Sequence, residues 1–494
     1  MLYYVNGVCG SGKTVTAIDK IAERVKRGET IIYATSTIRL LEQTNSGLKG
    51  KGVETELIAS DSDYQSVTAS QTVSIASKLL DSISSCGDGA KVILCVTKTL
   101  INIASKLPDD VKLPLFIDEG FQVVDTGFYN STTPDEVQGV QYLLGLTKKK
   151  PKGYSVNKEY ELPSLLERLS IYVKNPLYEA FSRGEANKLE WVVSLKVGDF
   201  LKCFSEVTML SACFEDTLEC YAAKAAGVEL RALDWGLDTE HYSNGKVTVC
   251  WVLSNNQWIT SFVKKLDELR IEDIVAEYRD MSIDKFISVK NLYQDINYQF
   301  EFENDDGSVI VQPEDKILPV YAHGFNDYTD YKRYLNLHTQ MPLNYLQQHL
   351  MREFKMTKEQ IRESFYHYLC YQSALRIALR KSSKKSPINI DTSFCFGDEA
   401  TARYFVSKMS SSVNIVFHQL ERGKLIDVVS ESSEKISLTD AEEENRRRDR
   451  KKLRTLGISG DESMDEALLI LRDWRREHQD ARISKKLLKL LVLK

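Results

Sequence analysis

The residues best placed to do chemistry lie at the start of the chain. Gly7, Gly12, Lys13 and Thr14 fit the spacing G-x-x-x-x-G-K-[ST], with Gly10 a further glycine inside the loop. Glycines let backbone N–H groups close around phosphate oxygens, and the N-terminus of a following helix adds its dipole. A lysine at this place bridges β- and γ-phosphates as a point charge, while the threonine hydroxyl ligates Mg²⁺. Gly7, Gly10, Gly12, Lys13 and Thr14 are therefore predicted to hold a nucleoside triphosphate. Such a site needs an acid at the end of a neighbouring strand. The run LPLFIDEG supplies Asp118, placed to reach Mg²⁺ through its water shell. Glu119 follows, placed to orient or deprotonate an attacking water. Alone, an adjacent acid pair is more often a solvated loop; the phosphate loop upstream gives this one its meaning.

Further clusters sit at other strand ends. YATSTIRLLEQT carries Thr35, Thr37 and Arg39, and CVTKTLI carries Thr97 and Lys98. Hydroxyls and cations so placed can hold the phosphates of a polymer, although singly each is more often an ordinary helix cap. MLSACFED puts Ser211 and Ala212 at another strand end, and AHGFNDYTDYKR contains Gly324 and Asp327. YQSALRIALR spaces Gln372, Arg376 and Arg380 at i, i+4 and i+8 on one predicted helix, along one face. One reading is an exposed basic stripe. The other is a pair of arginine fingers, supplied by a second domain, that stabilise charge on the γ-phosphate.

The elements that must position these residues alternate along the chain. LYYVNG, TIIYATST, KVILCVT and LPLFIDE are apolar runs, each followed by a polar turn or a helical stretch. Alternation of this kind predicts an α/β fold with parallel sheets, whose ligands gather at the carboxyl ends of the strands. A first domain is predicted over residues 1–225, with a helical insertion over about 132–202 that includes NPLYEAFSRGEANKLEWVV. A second strand-rich domain follows over 226–435, with FENDDGS as a hairpin turn. Residues 436–494 form a predicted charged helical extension. Its basic block NRRRDRKKLRTLGISG reads as a solvated face, a nucleic-acid contact or a docking site for a protein partner.

Composition narrows the class. The chain has 494 residues, enough for several domains, with 43% hydrophobic and 27% charged residues, as in ordinary soluble proteins. A net charge of -5 argues against coating nucleic acid by bulk attraction and leaves room for a local basic groove. Nine cysteines are scattered without a CxxC pair, which predicts neither a zinc site nor a disulfide framework. No signal peptide and no membrane span are read, so the expected location is cytoplasmic.

Taken in order, the motifs resemble those of the superfamily 2 helicases: phosphate loop, threonine cluster, second threonine site, DExx, Ser-Ala strand end, glycine-containing loop, then Gln…Arg…Arg. HGFNDYTDYKRYLNL and YQSALRIALR look most like the DEAD/DEAH-type helicases carried by phages and mobile elements. The resemblance spans roughly Met1 to Leu420. It implies two tandem RecA-like domains that sandwich ATP and Mg²⁺ and grip a nucleic-acid strand, DNA more than RNA. It further implies nucleotide contacts from Gly324 and Asp327, a coupling role for Ser211 and Ala212, and polymer contacts from Thr35, Thr37, Arg39, Thr97 and Lys98. A phage-encoded chain would work in the host cytoplasm. There are departures: DEGF stands where DEAD or DEAH is usual, and no glutamine motif fits upstream of the phosphate loop. Leu375 stands where glycine is common, and the second arginine lies one residue late, which leaves the finger open between Arg376 and Arg380. Two alternatives remain, a packaging-type motor drawing on Asp391, Asp398 and Glu399 as nuclease acids, and an NTP-dependent switch that unwinds nothing.

Overall fold

The computed structural model describes residues 1–59, 69–86, 89–130, 137–138, 140–141, 164–185, 188–254, 258–259, 263, 268–282, 286–289, 301–303, 309–311, 317–318 and 328–434. The predicted extension over 436–494 and the loop bearing Gly324 and Asp327 lie outside these residues.

Short apolar runs form the strands of the first domain: β1 (Leu2–Val5), β2 (Ile31–Thr35), β3 (Thr55–Ile58), β4 (Val92–Val96) and β5 (Leu115–Asp118). After an insertion holding β6 (Val124–Asn130), β7 (Tyr178–Glu185) and β8 (Lys188–Leu195) come β9 (Val207–Leu210) and β10 (Leu230–Leu233). The seven core strands pair all-parallel in the order β10-β1-β9-β5-β2-β4-β3. Alternate residues divide between two cores, as a period of two requires. Val5, Ile31, Tyr33, Val92 and Leu94 meet α1 (Lys13–Lys26) and α2 (Ile38–Gly50) on one face. Ile32, Ala34, Ile93, Cys95 and Ile117 pack on the other. Burial on both faces explains why these strands read as continuous apolar runs. Helix α1 buries Ala17, Ile18, Ile21, Ala22 and Val25, the stripe its sequence spacing predicts.

The insertion corrects one expectation. NPLYEAFSRGEANKLEWVV was expected to be helical, but β7 and β8 form a hairpin within a three-stranded antiparallel sheet, order β6-β8-β7. Ser164–Lys174 is helical as expected, as are the described residues of 137–141. The glutamates, alanine and lysine of this segment favour a helix locally, yet Leu189, Trp191 and Val193 alternate into a buried cluster with Leu169 and Tyr172. Tertiary packing on a pleated surface outweighs propensity here. Gly127 on β6 makes room for Trp191: a Cβ there would stand 2.3 Å from the indole.

The second domain carries β11 (Val247–Leu253), β12 (Phe286–Val289), the antiparallel pair β13 (Glu301–Glu303) and β14 (Val309–Val311), β15 (Ile317–Leu318), β16 (Arg333–Asn336), β17 (Thr392–Asp398) and β18 (Ile415–Gln419). Six of them form a parallel sheet, order β15-β12-β16-β17-β11-β18. The β13–β14 pair flanks the predicted hairpin turn. The fold is thus the expected α/β one, with two tandem RecA-like domains built on parallel sheets.

Several contacts tie the domains together. Cys9 and Ala212 of the first domain belong to the apolar core of the second. The insertion sheet braces the other side: Val192 packs with Leu346, Leu350, Met356 and Ile361, and the Tyr345 hydroxyl donates to the Gly127 carbonyl at 3.3 Å. Ser194 and His349 share a hydrogen bond of 2.5 Å across the same seam. Within the second domain, Arg362 and Asp398 form a buried ion pair, and Asp398 also accepts from the Trp258 and Thr401 amides. Asp398 therefore holds Arg362 and the Trp258 and Thr401 amides in place. Among the described residues no cluster of three or more His, Cys, Asp or Glu could hold a metal, and no helix is long and apolar enough to cross a membrane.

Trp258 also packs against Gly397 of β17, where a Cβ would lie 2.1 Å from the indole ring. Gly397→Ala should lower the free energy of unfolding by about 1–3 kcal/mol, since a rigid ring must move. Urea titration with an unchanged midpoint would refute this packing.

Candidate nucleotide site

The phosphate loop joins β1 to α1. Gly10 and Gly12 adopt left-handed φ values of 77° and 89°, which side chains other than glycine resist. Gly10 has a second constraint: a Cβ there would stand 2.8 Å from the Arg380 carbonyl oxygen, so the second domain presses on the loop's crown. At Gly7 a Cβ would meet the Ser11 hydroxyl at 2.8 Å. Lys13 is buried, and its ammonium donates to the Val8 and Gly7 carbonyls at 2.7 and 3.3 Å. Burial holds its pKa below the usual lysine value.

The carboxyl end of β5 faces the loop. Thr14 Oγ1 and the Tyr33 hydroxyl each donate to Asp118 Oδ2 at 2.6 Å. Burial pushes the Asp118 pKa up to about 6, with the neighbouring Glu119 charge adding to it and the hydrogen bonds from Thr14 and Tyr33 opposing it. A hydroxyl and a carboxylate at this separation are the oxygen ligands that Mg²⁺ takes from a protein when waters and phosphates complete its octahedron. The donor set fits that ion. Glu119 and Gly120 continue with φ values of 62° and 87°. The Phe121 amide donates to Glu219 Oε1 at 3.1 Å, and a Cβ on Gly120 would fall 2.3 Å from that same oxygen. DEGF therefore needs its glycine for backbone conformation and for space.

The second domain completes the site in a way its sequence spacing misdescribes. Gln372, Arg376 and Arg380 do not share one helix. The helix Tyr368–Ala374 stops at Leu375, and Ala378–Lys381 is a separate 3-10 turn. Leu375 has φ -84°, ψ 27°, outside the helix, and the chain turns again before Arg380. All three side chains nevertheless line the same cavity as the phosphate loop. Arg376 reaches to 3.8 Å from Glu119, whereas Arg380 lies against Gly10. Burial and the nearby Arg376 charge lower the Arg380 pKa. Like charges crowded in this way favour a polyanion between them.

The cavity measures about 440 Å³ and is lined by Gly10, Gly12, Lys13, Thr14, Asp118, Glu119, Ala212, Gln372, Arg376 and Arg380. This is a usual size for a small-molecule site. Gln43, Thr329 and Lys381 line it too; the first two lie within the motif stretches without having been singled out there. A larger cavity of about 1010 Å³ lies at the amino ends of β1, β9 and β10 and contains none of these groups. Ser211 is buried and shares a 3.0 Å hydrogen bond with the Tyr368 hydroxyl, which accepts from Gln372 Nε2 at 2.5 Å. The Ser-Ala strand end is thus wired to the second domain.

The residues expected on a polymer divide. Thr35 and Thr97 are buried, at the end of β2 and at the start of the helix Thr97–Ala104. Thr37 caps α2, accepting from the Leu40 amide at 3.4 Å. Arg39 and Lys98 are exposed on the first turns of their helices. Tyr33, which no motif singles out, is the unforeseen partner of Asp118.

No protein-family model matches the chain, and no curated protein sequence matches it. Among solved structures it is similar to one named XPD_Helicase, at 12% identity over 84% of this chain and 96% of that one, TM-score 0.48. It is also similar to S. tokodaii Xpd4 at 11% identity, over 84% and 95%, TM-score 0.47. For S. cerevisiae Dbp5 bound to RNA and ADP BeF3 the figures are 9%, 87% and 88%, with a TM-score of 0.33. At this level the likeness is one of chain path, and the site stands on its own geometry.

Asp118 yields a test of that geometry. Its native pKa of about 6 lies above the ordinary value, so the folded state holds the proton more tightly than the unfolded chain. Stability accordingly falls as pH rises between about 4 and 6, and the penalty persists above that window. Asp118→Asn removes the charge while keeping an acceptor for Thr14 and Tyr33. Its melting temperature should exceed that of the wild type by a few degrees near pH 7.5, the gap closing towards pH 4. Equal melting temperatures at the higher pH would contradict the buried carboxylate.

Proposed function

We propose that this chain is an ATP-hydrolysing motor of the superfamily 2 helicase type, translocating along or unwinding nucleic acid, with DNA favoured over RNA. What carries the reading is one observation. The phosphate loop and acid pair of one domain and two arginines of the other line a single cavity. A nucleotide bound there touches both domains only when they are docked, which is what makes binding and release able to move one against the other.

In the proposed reaction the loop amides and Lys13 hold the β- and γ-phosphates, and Glu119 orients and deprotonates the attacking water for in-line displacement. Thr14 and Asp118 would hold Mg²⁺, which would supply charge neutralisation at the phosphate oxygens. Arg376, on the Glu119 side, is the better-placed finger for the γ-phosphate; Arg380, against Gly10, reaches the loop side. Gln372 carries the state of the cavity to Ser211 through Tyr368. Exposed Arg39 and Lys98, with Thr37, offer the polymer contacts near the ends of β2 and β4. The DNA preference, and a role in phage or mobile-element replication or recombination, draw on the resemblance of the sequence motifs alone. A partner docking on residues 436–494 belongs to the same proposal.

The test is steady-state ATP hydrolysis with single-stranded DNA, duplex DNA and RNA. Hydrolysis should rise at least about tenfold with DNA and fall about 100- to 1000-fold in Lys13→Ala and Arg376→Ala, the scale of losing one transition-state charge contact. Nucleotide binding should survive in Arg376→Ala and weaken in Lys13→Ala. Hydrolysis indifferent to every polymer would remove the motor and leave a nucleotide-dependent switch.

A further inference from the structure

Behind the phosphate cavity lies a buried polar relay that the proposed chemistry does not use. The Cys9 amide, in the crown of the phosphate loop, donates to the Tyr371 hydroxyl at 3.0 Å. That hydroxyl shares a second hydrogen bond with His241 Nε2 at 2.9 Å. Cys9, Tyr371 and His241 are exposed by only 8%, 0% and 2%, so water does not substitute for these bonds. Burial, reinforced by the charges of Lys13 and Arg380, lowers the His241 pKa to about 3, which leaves a neutral ring with one acceptor nitrogen.

The three residues come from three places. Cys9 belongs to the first domain, Tyr371 to the second and His241 to the segment joining them. That segment is pinned at both ends of the contact. The Val8 amide donates to the Asp238 carbonyl at 3.0 Å, and the Lys384 amide to the Asp238 carboxylate at 2.9 Å. His241 exchanges backbone hydrogen bonds with Lys408 and Ser410 of the second domain, each 2.9 Å. Tyr371 is packed against Tyr404 and Phe405, so the second domain sets where its hydroxyl stands. It also precedes Gln372 and lies five residues before Arg376.

We propose that Tyr371, backed by His241, is a positioning residue that makes the shape of the phosphate loop depend on docking of the second domain. The inference rests on the nucleotide-hydrolysis reading above. Docking delivers the arginines and the tyrosine in one movement. The arginines meet the phosphates, and the hydroxyl fixes the loop that cradles them. When the domains part, the Cys9 amide loses its acceptor to solvent and the loop recovers its freedom. A nucleotide held by the first domain alone thus sits in a looser cradle, and misplacement on the order of 1 Å is enough to slow chemistry about 100-fold.

Tyr371→Phe keeps the ring and deletes the oxygen. His241→Leu deletes the partner nitrogen, and His241→Gln retains a polar atom near it. Two readouts are measured on the full chain: amide hydrogen exchange across residues 7–14 without nucleotide, and ATP turnover beside nucleotide affinity. In Tyr371→Phe, exchange in that loop should accelerate about tenfold, the scale of one lost hydrogen bond. Turnover should fall about ten- to 100-fold while the nucleotide Kd shifts less than about threefold. His241→Leu should follow it, and His241→Gln should recover most of both. Wild-type exchange in the loop, or faster exchange there with unchanged turnover, would overturn the proposal, as would faster exchange spread over the whole chain. If the wild type hydrolyses no nucleotide the functional reading fails instead, and the exchange data alone decide whether Tyr371 holds the loop.

Discussion

Holding Asp118 where Thr14 and Tyr33 can reach it is the constraint on which the rest of this structure depends. An ionised carboxylate buried beside a glutamate is costly, and its two short hydrogen bonds offset only part of that cost. Those bonds require the start of α1, the end of β5 and the middle of β2 to converge. A parallel sheet meets the requirement directly, because every strand delivers its carboxyl end to the same edge. The apolar strands, with helices on both faces, serve to keep that edge rigid enough for a charged site.

Across the edge the second domain supplies charge of the opposite sign. Lys13, Arg376 and Arg380 crowd one cavity, each partly stripped of water, and burial disfavours two of them in their charged form. Such a concentration of cations persists because the surrounding contacts over-determine it: the apolar seam through Cys9 and Ala212, the polar chain Ser211–Tyr368–Gln372, and the brace between β8 and the helix Asn344–Glu353. Asp216 adds a further tie, accepting from the Tyr404 hydroxyl and the Lys408 ammonium at 2.7 Å each.

Much of the site was legible in the amino-acid sequence because its logic is local. A glycine-rich turn between a strand and a helix, and an acid pair ending a strand, carry their meaning within about ten residues. Gln372, Arg376 and Arg380 were legible as a group for the wrong reason. Their common face was expected from helical spacing, yet Leu375 ends the helix and the chain turns again before Arg380. Tyr33 and Tyr371 were illegible, since a tyrosine in an apolar run announces nothing about a partner 85 or 362 residues away. The β7–β8 hairpin was lost because helix-favouring residues mask the period-two burial of Leu189, Trp191 and Val193. Thr35 and Thr97 were singled out for their hydroxyls at strand ends, and the spacing did not foretell their burial.

The geometry around Gly120 bears on how such motifs are recognised at all. The Glu219 carboxylate occupies the volume an alanine methyl would need and binds the amide that follows. The third letter of DEGF is therefore constrained twice, by its own left-handed backbone and by a residue in another helix. Glu219 in turn needs the open side of a glycine opposite it in order to reach the Phe121 amide. A contiguous four-residue pattern cannot express that dependence, whereas a rule pairing glycine here with a carboxylate at the later helix can.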